Sequence, residues 1–352
     1  MQAALGIIEG FYGTPWSWQA RAETIAFLAP HGYRFYLYAP KADAFLRERW
    51  QEDHPRETEE RLQALAATCR DNGVRFGIGL SPFEIYRDFD RNARAALARK
   101  LSFLGHLGID DLAILFDDMK GDDPELAAKQ VEIVHWIAER AVADRLIVCP
   151  TYYTDDPLLD RVFGRRPDDY LEEFGARLDP SIDVFWTGEE VCSRAFSTGH
   201  LARVAGLLGR KPFLWDNYPA NDGKRMSQFL HLRAFTGRPA NIAEFAAAHG
   251  VNPACQPVLS RIPALTLARS YAQGDDYEYG RAFEEAATAV VGSVLARLLQ
   301  QDLVLLQDTG LDRLDGAAQR LRKRYGEHDH PAAREVIAWL DGEYRYRAEL
   351  ES

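Results

Sequence analysis

The sequence has little sulfur: four cysteines and three methionines in 352 residues, with no CxxC pair and no cysteine at metal-ligand spacing from a histidine. A zinc site or a disulfide framework is therefore not expected, and Cys69, Cys149, Cys192 and Cys255 read as reduced, mostly buried thiols of a cytoplasmic protein. Positive charge is also short. Lys and Arg total 42 against 53 for Asp and Glu, a net charge of −11, which argues against nucleic acid or a membrane surface as partner. The residues from Met1 to Gly10 carry no basic stretch followed by an apolar one, so no secretory signal is expected. The longest apolar run, 286–299, is broken by Gly292, Ser293 and Arg297. It is expected to be too short and too polar to span a bilayer. No GxGxxG or GxxxxGK[ST] element follows a strand-like run, which removes the main support for a nucleotide-binding doubly wound sheet. No cofactor and no metal are expected.

What is present suffices for a large core. Hydrophobic residues make up 47% and aromatics 11% of the chain, ordinary values for a globular protein. The length allows about two domains, or one large one with an appendage. Short β-branched or aromatic runs at 5–9, 34–38, 74–80, 112–116, 146–150, 183–187 and 212–216 read as strands, with a weaker one at 250–252. Helical patterns lie between them, among others at 56–70, 92–104, 124–141 and 201–208. That alternation predicts a (β/α)8 barrel over 1–278 rather than an open sheet. Beyond it the strands stop. Phe283, Ala287, Val290, Val294 and Leu298 recur at helical spacing, as do Leu311, Leu314, Ala318, Leu321 and Tyr325. Val336, Ile337, Leu340 and Tyr344 follow, with Pro331 placed for a first turn, so 279–352 is expected to be a helical C-terminal domain.

In such a barrel, chemistry collects at the C-terminal ends of the strands, and unusual polar residues gather there. The first strand runs into Glu9, Gly10, Phe11, Tyr12 and Gly13, the second into Tyr38, Lys41 and Asp43. The fourth ends in Asp117 and Asp118, the fifth in Pro150, Thr151, Tyr152 and Tyr153, and the sixth in Trp186, Thr187 and Gly188. The seventh leads through Trp215, Asp216, Asn217, Asn221 and Asp222. Aromatic rings, amides and carboxylates at one mouth suit a sugar, whose apolar face stacks while its hydroxyls seek hydrogen-bond partners. Asp117 and Asp118 are the sharpest feature. Two buried adjacent carboxylates repel, so one should keep its proton above the usual value of about 3.9 and could serve as a general acid. The plainer readings are a helix cap or a metal site shared with Asp122 and Asp123. Asp122, Asp123 and Pro124 read better as the start of the next helix. Lys41 could be a solvated loop lysine, Trp186 and Trp215 core, and Asn221 a turn residue. His31, His106 and His135 read as structural, and Lys100 with Arg94 as one solvated helix face.

Taken together, these elements resemble family 84 glycoside hydrolases, the β-N-acetylglucosaminidases of O-GlcNAcase and hyaluronidase-like type. The resemblance rests on the run from Gly6 through Glu9, Gly10 and Tyr12 to Trp16, then Tyr38 to Lys41, Phe116 to Asp118, Pro150 to Tyr153, Trp186 to Gly188, Trp215 to Asn217 with Asn221 and Asp222, and Asn252 with Pro253. They occur in order over nearly the whole barrel. The resemblance implies retaining, substrate-assisted hydrolysis in which the sugar's own acetamido oxygen is the nucleophile. By position, Asp117 matches the carboxylate that orients the acetamido N–H, and Asp118 the general acid and base. Gly10 (through its backbone) and Lys41 match positions holding a sugar hydroxyl, Asp222 the grip on the 4- and 6-hydroxyls, and Asn252 the amide beside it. Tyr153, Thr187 and Trp215 match the pocket for the acetyl methyl, with Asn217 supporting that end. The chain departs from the family pattern at Tyr152, where an acidic residue is expected.

What the resemblance implies is a cytoplasmic O-GlcNAcase-like hydrolase acting on β-GlcNAc-bearing proteins or glycans, since the chain begins at the first strand without an accessory module. A homodimer through the C-terminal helices is a further expectation. The alternatives are a non-catalytic GlcNAc-binding protein on the same barrel, a hyaluronidase-like glycosidase, and a metal-dependent hydrolase, the last disfavoured by the lack of histidines at the strand ends.

Overall fold

A computed structural model describes residues 4–346. The β-branched and aromatic runs form β1 (Ala4–Glu9), β2 (Tyr33–Tyr38), β3 (Arg75–Leu80), β4 (Asp111–Leu115), β5 (Arg145–Cys149), β6 (Asp183–Trp186), β7 (Phe213–Asp216) and β8 (Ala248–Val251). Each pairs in parallel with its neighbour in sequence, and β8 pairs with β1, so the eight close into a barrel. The expected (β/α)8 architecture is what the chain adopts. These strands are buried on both faces, which is why they read as continuous apolar runs. The interior is filled by large rings against small residues. Phe35 and Phe213 meet edge to face with centroids 5.2 Å apart, and Phe185 meets Phe213 at 4.8 Å. Gly6 gives Phe35 its room, for a Cβ there would lie 2.3 Å from the ring.

The outer layer comprises α1 (Trp18–Leu28), α2 (Arg56–Asp71), α3 (Arg91–His106), α4 (Leu126–Ala138), α5 (Leu158–Phe163), α6 (Tyr170–Arg177), α7 (Thr198–Leu208) and α8 (Pro257–Gln273). Ser17, Asp90 and Ser197 cap α1, α3 and α7 through their side-chain oxygens. Two local expectations need correction. Helix α4 begins at Leu126, because the Asp123 carboxylate accepts from Glu125 N at 2.9 Å and closes a separate turn ahead of it. Lys100 is no surface lysine. It is fully buried and its Nζ donates to the Glu52 carbonyl, while burial pushes its pKa down to about 8. Arg94, on the same helix, is half-exposed and pairs with Glu132 at 2.6 Å.

After the barrel come α9 (Tyr279–Val304), α10 (Gly316–Gly326) and α11 (Pro331–Leu340), with Pro331 in the first turn as expected. The stretch Tyr279–Thr309 is long and apolar enough to cross a membrane by length and composition, which corrects the expectation that it is too short and too polar. Here it buries Phe283, Ala286, Ala287, Leu295 and Leu299 and packs against α8, and Gly292 at φ 76°, ψ 161° interrupts its helical geometry. The tail is fastened to the barrel by polar contacts. Glu335 of α11 accepts from Val258 N and Leu259 N in the first turn of α8, both at 2.9 Å. Gln307 Oε1 accepts from Leu232 N and Arg233 N, both at 2.8 Å.

Candidate active site

At the C-terminal mouth of the barrel lies a cavity of about 220 Å³. Asp117 and Asp118 sit on its wall, as do Gly10, Lys41, Tyr153, Thr187, Trp215, Asn217, Asp222 and Asn252, so the structure brings every site residue expected from sequence to one place. Asp117 and Asp118 both line this one cavity from the turn just past β4, where Asp118 adopts the left-handed region at φ 59°. A non-glycine residue held there stores strain of about 1–3 kcal/mol, and such strain clusters at functional sites.

Lys41 is buried and holds the pair together. Its Nζ contacts Asp117 Oδ2 directly and lies 3.5 Å from Asp118 Oδ2. The solvated-lysine reading is thereby excluded. Asp118 further accepts from the Tyr12 hydroxyl at 2.7 Å and from that of Tyr153 at 3.4 Å. Asp117 Oδ1, by contrast, is buried without a hydrogen-bond partner. The two acids titrate apart. Burial raises Asp117 against the pull of Lys41, and the Asp118 charge raises it further. Burial acts on Asp118 too, but Lys41 and the Tyr12 hydrogen bond outweigh it and hold the carboxyl below its ordinary value. In the free site the proton therefore favours Asp117, the reverse of the order that an acid role for Asp118 requires during reaction.

The opposite wall is a chain of amides. Gly10 N donates to Asn252 Oδ1 at 3.2 Å, and Asn252 Nδ2 donates to Asn217 Oδ1 at 2.9 Å. Trp215 Nε1 donates to the same Asn217 oxygen at 2.9 Å, and Asn217 Nδ2 to the Val191 carbonyl at 2.8 Å. Gly10 is needed here because a Cβ would stand 2.2 Å from the Trp215 ring. Asp222 Oδ2 accepts from Tyr12 N at 2.6 Å. Thr187 is pinned through its hydroxyl to the Glu190 carbonyl at 3.1 Å and its N–H to that of Tyr153 at 3.0 Å.

Several polar strand-end residues serve the frame instead. Asp216, read as a further acceptor at the mouth, is fully buried against Arg238 at 2.7 and 2.8 Å and His249 at 3.0 Å. Asn221 binds Phe229 O, Gln256 and Cys255 N, and Trp186 donates to His200 at 2.9 Å, so both fit their structural readings. Tyr152 is buried, its hydroxyl donating to Gly164 O at 2.6 Å. Asp122 and Asp123 line a separate cleft with Arg165 and Arg166. Among the described residues no group of three or more His, Cys, Asp or Glu is arranged to hold a metal ion.

Tyr12, Cys149, Val191, Cys192 and Met226, none of them assigned to the site from sequence, also line the cavity. Tyr12 stood in the strand-one run, but its partner Asp118 lies in the turn after β4. The cysteines are free, with Cys192 exposed and the rest buried. Burial raises the Cys149 thiol well above its ordinary value.

Comparisons with known proteins bear on the family and the fold. The family model described as beta-N-acetylglucosaminidase matches residues 5–304. The chain is 30% identical over 278 residues to protein O-GlcNAcase of Mus musculus and to that of Rattus norvegicus, over 76% of its own length. It spans only 30% of the length of those curated relatives. Among solved structures it is similar to a mutant of Thermobaculum terrenum O-GlcNAc hydrolase, with TM-score 0.80 and 27% identity. That match covers 96% of this chain and 80% of the other.

Proposed function

Because the chain belongs to the β-N-acetylglucosaminidase family of glycoside hydrolases, we propose that it is a retaining exo-β-N-acetylglucosaminidase, O-GlcNAcase-like, working by substrate-assisted catalysis. Its substrates are terminal β-linked GlcNAc residues on proteins or glycoconjugates. The observation that carries this reading is Asp117 Oδ1, buried and unpartnered beside a second carboxylate. An acceptor left open in that position suits a substrate N–H, because an orphaned buried carboxylate oxygen is otherwise costly.

Substrate binding sets the proton in place. An acetamido N–H donated to Asp117 Oδ1 favours its ionised form, while a leaving group covering the Asp118 side chain, 25% exposed in the free site, removes water and favours the neutral acid. The acetamido oxygen then attacks the anomeric carbon as the bond to the leaving oxygen breaks. Asp118 gives its proton to that oxygen, and Asp117 stabilises the positive charge that develops on the amide. The product is an oxazoline. Water next attacks the anomeric carbon, Asp118 accepts its proton, and the oxazoline ring opens to the free sugar. Two inversions retain the configuration. Tyr153 supports the developing oxazoline, Asp222 the 4- and 6-hydroxyls, and Trp215 with Thr187 the acetyl methyl. Lys41 and Gly10 hold a hydroxyl, with Asn217 and Asn252 bracing that wall.

The test is fluorescence release from 4-methylumbelliferyl β-GlcNAc and its mono-, di- and trifluoroacetamido analogues. Rates should fall steeply with fluorination, and Asp117→Asn should lower kcat by about 10²–10³-fold. An inert wild type, or rates indifferent to fluorination, would overturn the reading.

Three further parts belong to this proposal. Cytoplasmic residence is supported by the four free thiols. The division into a barrel at 1–278 and a helical domain at 279–352 is supported by the last strand ending at Val251 and α9 starting at Tyr279, residues 1–3 and 347–352 lying outside those described. A homodimer through the C-terminal helices is supported by Val294 and Val304, both 61% exposed on α9. Sedimentation equilibrium decides it.

A further inference from the structure

Beside the sugar cavity lies a second one of about 320 Å³. It shares Tyr12, Asp118, Tyr153 and Val191 with the first, but Asp117, Lys41, Asp222 and the amide wall are absent from its lining. Its outer wall is the apolar face of α5, where Leu158 and Val162 are 40% and 48% exposed. Its remaining wall is Arg47.

Arg47 is 7% exposed, yet its Nη1 has no hydrogen-bond partner and its side chain forms no ion pair among the described residues. Its guanidinium lies 5.8 Å from the Tyr12 ring centroid and 5.2 Å from that of Phe83. Ring contacts do not replace the hydrogen bonds a buried guanidinium loses, and leaving such a group unpaired is costly. In the Asp-Arg-Lys cluster, Lys41 and Arg47 carry two positive charges. Once Asp118 is protonated for its acid step, Asp117 alone opposes them.

We propose that this cavity is the subsite for the leaving group, and that Arg47 selects leaving groups carrying a carboxylate on an apolar body. The assignment rests on the proposed hydrolase reading, since it is Asp118, the proton donor to the leaving oxygen, that joins the two cavities. A carboxylate there completes the guanidinium's hydrogen bonds by a charge-assisted fork. It also balances the one uncompensated charge of the reactive cluster, and its negative field helps Asp118 keep the proton it must deliver. The apolar face of α5 receives the rest of the group.

The test compares 3-carboxyphenyl with 3-carbamoylphenyl β-GlcNAc, which differ little in size, and a pair of O-GlcNAc peptides with Glu or Gln beside the glycosylated serine. In the wild type kcat/KM should favour the carboxylate by about tenfold or more, the scale of one charge-assisted hydrogen bond. The preference should collapse toward unity in Arg47→Met and survive in part in Arg47→Lys. A preference in the peptide pair alone assigns an acidic peptide as the source of the carboxylate, and one in the aryl pair alone a non-peptide aglycone. A wild-type ratio near unity in both pairs overturns the proposal without reference to any variant. So does a ratio unchanged in Arg47→Met. The same ratio, read as dissociation constants of the uncleaved S-glycosides, decides the subsite even if no substrate is turned over, which is the result that would sink the hydrolase reading instead.

Discussion

The hydroxyl of Tyr12 donates to Oδ2 of Asp118 at 2.7 Å across 106 positions of sequence. That bond stabilises the ionised carboxylate, and with the attraction of Lys41 it offsets the rise that burial would cause. In the proposed role of general acid Asp118 must be protonated to act, so its pKa in the free enzyme sets the alkaline limb of kcat/KM. Tyr12→Phe removes the donor and should move that limb upward by up to about one unit, the scale of one hydrogen bond to a charged group. The measurement is a pH profile of kcat/KM on an aryl β-GlcNAc. A limb that stays put or moves down would show that Tyr12 does not tune Asp118.

Under the proposed mechanism, Asp118→Asn separates proton donation from acetamide attack. An alkyl or peptidyl leaving group needs the proton, and its hydrolysis should fall by about 10²–10⁴-fold. A leaving group as acidic as 4-methylumbelliferone departs with less help and should lose much less. Azide needs no general base, so it should intercept the oxazoline and raise the turnover of Asp118→Asn, giving the β-glycosyl azide. Asp117→Asn, in which formation of the oxazoline itself is impaired, should show no such rescue. Equal azide effects on both variants would contradict the assigned roles.

Asp216 is not part of the cavity lining, but its carbonyl accepts from Asn252 N of the amide wall at 2.8 Å. Burial alone would raise its carboxyl, but Arg238 and His249 bring it down to about 2. Asp216→Asn leaves the Arg238 guanidinium buried and unpaired, which should cost about 3–5 kcal/mol. The sign with pH follows from a folded pKa below the unfolded one. The stabilisation is present above the ordinary value of 3.8 and is lost as pH falls through about 2. Urea unfolding at pH 7 and pH 3 should therefore show the gap between wild type and variant narrowing at the lower pH. A gap that widens would place the stabilisation elsewhere.

Legibility in sequence followed how local each cause was. Strands buried on both faces betray themselves as continuous apolar runs, so seven of the strands stood within a residue or two of their places. The eighth was only weakly legible and began two residues before its expected start, because Ala248, His249 and Gly250 have no strand-forming character. His249 is there for its contacts with Asp216 and with the Tyr271 hydroxyl at 2.8 Å. Lys41, Asp117 and Asp118 could be found because polar residues at the end of an apolar strand are conspicuous on their own. Tyr12 and Arg47 could not, since each acquires its meaning from a group on another strand or loop. Lys100 misled for the same reason: its helix face looked solvated until the Glu52 carbonyl, 48 positions earlier, came to lie over it. Asp216 and Asn217 show the finest limit. They are neighbours at one strand end, yet one belongs to a buried ion network and the other to the cavity wall.

Glu335 couples the tail to the barrel and does so in a pH-dependent way. Its carboxylate accepts both Val258 N and Leu259 N at 2.9 Å, at the positive end of α8, yet burial outweighs those bonds and raises its pKa to about 7. The folded pKa then lies above the ordinary value of 4.5. A raised acid pKa means that the unfolded chain releases the proton first. The contribution is therefore fully present below pH 4.5 and lost as pH rises through about 7. Relative to Glu335→Gln, which cannot titrate, the wild type should lose up to about 3 kcal/mol across that window. The check is urea unfolding of both proteins at half-unit intervals from pH 4.5 to 8. Parallel curves would mean that the two backbone donors and the helix terminus stabilise the anion fully. A divergence that grows with pH would mean that α11 grips α8 most firmly with Glu335 neutral. The first turn of α8 follows closely on Asn252, so the same titration should be visible in the pH dependence of KM if loosening there reaches the amide wall.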